Sequence, residues 1–81
     1  MLEVQYNGEV AILDVRERVL RGDHPKQDIL QFVNEAKQGT VIEIHLPHKA
    51  EPLVAALESI GVSSILNQIG DQHFRLMCVK M

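Results

Sequence analysis

Apolar and polar residues alternate over Leu2–Tyr6 and again through much of Glu9–Val15, the period of a half-buried strand. Asn7-Gly8 lies between the two runs and supplies the positive φ angles of a tight hairpin turn. The pattern predicts two strands, or one strand with a loose N-terminal extension. Val10–Val15 is the more apolar and is expected to be central. Arg16–Gly22 is polar and irregular, with Val19 and Leu20 as its anchors.

Further on, Ile29, Leu30, Phe32, Val33 and Ala36 recur at helical spacing. Asp23 or His24 is the expected N-cap, and Pro25 fits the first turn, where its missing N–H costs little. Gly39 supplies a left-handed stop, so a helix is predicted over Pro25–Gln38. Thr40–Leu46 reads as a strand, with Ile42, Ile44 and Leu46 on one face and Val41, Glu43 and His45 on the other. Pro47 ends it. Pro52 opens a second helix with Leu53, Val54, Ala56, Leu57 and Ile60 as its buried stripe and Gly61 as its end. Val62–Ile69 and His73–Lys80 read as strands joined by a turn at Gly70-Asp71. In the last strand Phe74, Leu76 and Cys78 face one way, and His73, Arg75, Met77 and Val79 the other. His73, at the start of that strand, is expected to be exposed.

Strands alternating with helices predict parallel pairing of the first two core strands, and the final hairpin adds antiparallel ones. Two helices cover one face of such a sheet. The expected fold is therefore an α/β (α+β) two-layer sandwich of order βαβαββ, a mixed sheet with an extra N-terminal strand. It forms one domain over residues 1–81. The uncovered face, carrying Val41, Glu43 and His45, is expected to be partly wet or to meet a partner.

Composition narrows the function classes. The net charge of −3 and the absence of tryptophan argue against a nucleic-acid surface, which needs a basic surplus and stacking aromatics. No apolar run approaches the roughly 20 residues of a membrane span. Met1–Tyr6 carries Glu3 and no basic segment, unlike a signal peptide. A single cysteine, Cys78, allows neither an internal disulfide nor a cysteine-based zinc site, which fits the reducing cytoplasm. The N-terminal strand leaves an edge with which a second copy can pair as a homodimer.

Parallel strands ending near Val15 and Leu46 would put the loops Arg16–His24 and Pro47–Glu51 side by side, each leading into a helix N-terminus. Ligands of α/β sheets gather at this edge. Arg16, Arg18, Arg21, His24, His48 and Lys49 belong to these loops and form a candidate site for a small anion or a protein partner's acidic segment. The competing reading is that they are solvated loop charges. His24, His45 and His48 are candidate ligands for zinc, copper or iron, although Pro47 interrupts the His-x-x-His spacing. Cys78 shares a strand face with Phe74 and Leu76 and reads as a core thiol. Asp14, Glu17 and Asp23 show no pairing that would mark acid/base catalysis, and Asp14 is placed to bond loop N–H groups instead. No enzyme is expected.

Leu13-Asp14-Val15-Arg16-Glu17, a proline-containing helix start, a glycine-led strand and Pro52-Leu53 opening a helix together resemble the TusA/SirA-like superfamily. The likeness runs from about Val10 to Lys80. It is nearest to a branch of unknown function with an LDVRE-like start and a DHDP(K/R)PL-like motif. His48, Pro52 and Leu53 fit that motif; its acidic and first proline positions do not. The resemblance implies the same two-layer fold and a link to sulfur transfer, which such carriers perform through a cysteine of a Cys-Pro-x-Pro motif at the start of helix 1. Here Gly22 or His24 stands in that place. The carrier activity is therefore not implied. A docking surface around helix 1 is, and the leading expectation is a non-enzymatic binding or adaptor domain. A histidine-based metal or redox module, and a sulfur-transfer protein using Cys78, are the alternatives.

Overall fold

The computed structural model describes residues 2–81. Its elements are β1 (Gln5–Asn7), β2 (Val10–Asp14), α1 (Arg16–Leu20), α2 (Lys26–Glu35), β3 (Val41–Leu46), α3 (Glu51–Ser59), β4 (Ser64–Gly70) and β5 (His73–Val79). One mixed sheet has the order β1-β2-β3-β5-β4. β2 and β3 are parallel, with Leu13 beside Ile44, and the other pairs are antiparallel. The α/β sandwich expected from the pattern is the fold observed.

The helix count needs correction. Arg16–Leu20 forms α1, a single helical turn rather than an irregular loop. Asp14 starts it by accepting the Arg16 backbone N–H at Oδ1, 3.2 Å away. Five residues are too few to show a helical period, and only Val19 packs on the core while Leu20 is exposed. Smaller shifts have equally local causes. Pro25 itself is the N-cap of α2 with no side-chain cap, because Asp23 faces Arg18 and Arg21 instead. α2 ends at Glu35, ahead of Gly39. The first hairpin turns at Gly8-Glu9, so Asn7 stays in β1 opposite Val10. The last hairpin turns at Asp71-Gln72, where Gln72 takes φ +55°.

The core lies between the sheet and the helices. Leu13, Ile42, Ile44 and Leu76 from the sheet meet Ile29 and Val33 of α2 and Leu57 of α3, all at most 1% exposed. Strand alternation does this sorting: Ile42, Ile44 and Leu46 are buried while Val41, Glu43 and His45 are only half-buried on the other face. Each fully buried aliphatic side chain contributes roughly 1.5–3 kcal/mol. Among the described residues no helix is long and apolar enough to cross a membrane.

Candidate functional site

Because β2 and β3 run parallel, their C-terminal ends share one rim of the sheet, joined there by the bond from the Val15 N–H to the His45 carbonyl (3.1 Å). The chain leaves β2 through α1 and the 21–25 connection to start α2. It leaves β3 through residues 47–50 to start α3. Between these two starts lies a cleft of about 250 Å³. Val19, Ile29, Leu46 and Leu53 make its walls largely apolar, and His24 and His48 both line it, joined by Asp23 and Lys26. His48 Nδ1 accepts the Ala50 N–H (3.1 Å), so the neutral ring carries its proton on Nε2. Ala50 is held in the left-handed region at φ +52°, which turns the chain sharply into α3.

Of the six residues expected at this rim, His24 and His48 share the cleft. Arg16 instead makes a two-pronged bond to Asp14, Nε to Oδ1 at 3.0 Å and Nη2 to Oδ2 at 2.8 Å. That bond holds the Asp14 carboxyl below its ordinary pKa and raises that of Arg16. Arg18 lies between Asp23 (3.7 Å) and Asp28 (3.4 Å), linking α1 to the start of α2. Arg21 is largely exposed, 3.7 Å from Asp23. Lys49 is exposed outside the cleft. The arginines are thus engaged by carboxylates, and the cleft is less cationic than the sequence implied.

The three candidate metal ligands do not come together. His24 and His48 line the cleft on the helix side, whereas alternation along β3 sends His45 to the uncovered face. There its Nε2 lies 2.9 Å from Glu43 Oε2 and its Nδ1 2.8 Å from His73 Nε2. Among the described residues no group of three or more His, Cys, Asp or Glu side chains is placed to hold a metal ion. His73, expected to be exposed, is half-buried against His45. Only the β3–β5 register, which sets His45 opposite Arg75, brings the two rings together, and nothing in the sequence displays that register. Cys78 is 3% exposed in the core, and burial pushes its thiol pKa up, away from a reactive thiolate.

No protein-family model matches the chain, and neither does any curated protein or solved structure.

Proposed function

We propose that this chain is a non-enzymatic binding domain whose rim cleft takes one apolar side chain or small apolar body bearing a carboxylate, presented by a partner protein. The observation that carries this reading is the pairing of apolar walls with His24, Lys26 and His48 between the starts of two helices. The walls bury the apolar part. The imidazole N–H groups and the Lys26 ammonium favour the negative end. A volume near 250 Å³ suits one side chain and is small for a nucleotide or a large cofactor.

The resemblance to TusA/SirA-like proteins supports the same location. Their carrier cysteine stands at the start of helix 1, and the cleft opens at the start of α2. This chain has the place without the sulfur, which favours docking over transfer. The cytoplasm, a reducing compartment, is the setting this reading assumes.

The test is an amide NMR titration with phenylacetate, set against neutral phenylacetamide. Phenylacetate should shift the signals of His24, Ala50 and Leu53, the amide should do so more weakly, and His24→Ala with His48→Ala should abolish the response. Absence of shifts at these residues with millimolar phenylacetate would reject the proposal.

A further inference from the structure

The helices leave one face of the sheet uncovered, and a connected row of ionisable groups lies on it. In register, Asp14 stands beside His45 and His45 opposite Arg75, with His73 next on the same side of β5. Glu43, His45 and His73 form a continuous chain: Glu43 Oε2 to His45 Nε2 at 2.9 Å, then His45 Nδ1 to His73 Nε2 at 2.8 Å. The side chains of Glu43 and His45 are only 19% and 16% exposed, so the chain is shielded from water along most of its length.

Proton counting fixes the direction of these bonds. An ionised Glu43 only accepts, so His45 Nε2 must carry a proton. In the neutral ring His45 Nδ1 is then a lone pair and accepts from His73 Nε2–H. That leaves His73 Nδ1 as a bare lone pair with no partner among the described residues. A proton arriving at His73 Nδ1 can be relayed: the Nε2 proton moves to His45 Nδ1, and the positive charge comes to rest on His45 against the Glu43 carboxylate. One added proton preserves both bonds. A second would put N–H against N–H and break the contact between the rings.

His73 lines a depression of about 560 Å³ together with Asp14, Arg16, Glu17, Asp71 and Gln72. We propose that His73 is the proton acceptor of a second site in this depression, which takes a small weak acid. The acid's O–H proton passes to His73 Nδ1, and the anion left behind sits beside the Nη1 group of Arg16, which the two-pronged bond to Asp14 through Nε and Nη2 does not use. His45 and Glu43 are positioning residues that orient the ring and stabilise the charge after transfer, the arrangement that makes an imidazole an effective base. Partial burial, then the nearby Arg16 and His45, holds the His73 pKa below the ordinary imidazole value, so the lone pair is free at neutral pH. Asp14 opposes that shift and Arg75 adds to it; these are the other charges that act on the ring.

The test uses 4-nitrophenol as the weak acid, at a pH below its own pKa, with histidine nitrogen NMR on the same samples. The wild type should show His73 bare at Nδ1 and protonated at Nε2. It should also generate the yellow phenolate on binding. His73→Gln should abolish the phenolate signal. Glu43→Gln should weaken it about tenfold, the value of one unit of imidazole basicity, with Glu43→Asp intermediate. Retained dispersion of the core amide signals identifies the variants as folded. A proton on His73 Nδ1 in the wild type, or phenolate formation undiminished in His73→Gln, would overturn the proposal.

Discussion

The Lys80 ammonium, at the end of the last strand, lies 3.0 Å from the carbonyl oxygens of both Val33 and Asn34 in the final turn of α2. Those carbonyls have few partners within the helix, and a cation there is favoured by the helix dipole. One side chain therefore ties the sheet to the end of the helix packed on it. Lys80→Met keeps most of the stem and removes the charge, and is expected to lower stability by about 1 kcal/mol. Urea unfolding checks this as a lower midpoint at unchanged slope.

Asp14 and Arg16 predict a pH dependence. The folded-state carboxyl pKa lies below its ordinary value, chiefly through the Arg16 side-chain bond. The folded state thus binds this proton less tightly than the unfolded chain. The stabilisation is present above the ordinary carboxylate pKa and is lost as pH falls through the lowered one. Because both groups are well exposed, the effect is a few tenths of a kcal/mol after screening. Asp14→Asn should flatten the acid limb of a stability–pH curve, and α1 should fray first in hydrogen exchange.

Gln72 holds φ +55° in the last hairpin turn, a region unfavourable to residues with a Cβ. Gln72→Gly should raise stability by roughly 0.5–1 kcal/mol. Gly61 is the converse case. Its φ is +82°, and nothing lies within 4 Å of the point a Cβ would occupy. Replacement by alanine therefore carries a backbone cost alone, about 1 kcal/mol. Thermal melts of the two variants should move in opposite directions.

Leu57, fully buried on α3, should be a costly position to truncate. Leu57→Ala removes contacts against the sheet and leaves a cavity, for a loss of roughly 2–5 kcal/mol. A chain of this size has little stability to spare. Guanidinium unfolding should show the variant near its midpoint at low denaturant.

Much of the fold is legible in the sequence because its signals are local. The alternation through Thr40–Leu46 sorts Ile42, Ile44 and Leu46 from Val41, Glu43 and His45, and burial follows that division residue by residue. Gly61 marks the end of α3 through its positive φ, whereas α2 stops at Glu35, where Ala36 turns extended, four residues before Gly39. α1 is not legible because one turn has no period, and its start depends on an Asp14 side chain that could as well have closed a loop. At the rim, the pattern of elements does bring His24 and His48 together, as the cleft shows. It does not reveal the state of the arginines. The carboxylates that engage them lie in the same polar stretch, and only their three-dimensional arrangement decides which charges remain free.

By itself the sequence determined the order of elements apart from α1, the two faces of β3 and β5, and the rim where two connections meet. These follow from residue-by-residue periods and backbone preferences that act over a few positions. Tertiary structure alone decided that β5 inserts between β3 and β4, and hence that His45 meets His73 across the sheet and not His48 along its own chain. That choice rests on pairing between segments 28 residues apart, where no local preference acts and only the joint burial of both strands selects the register.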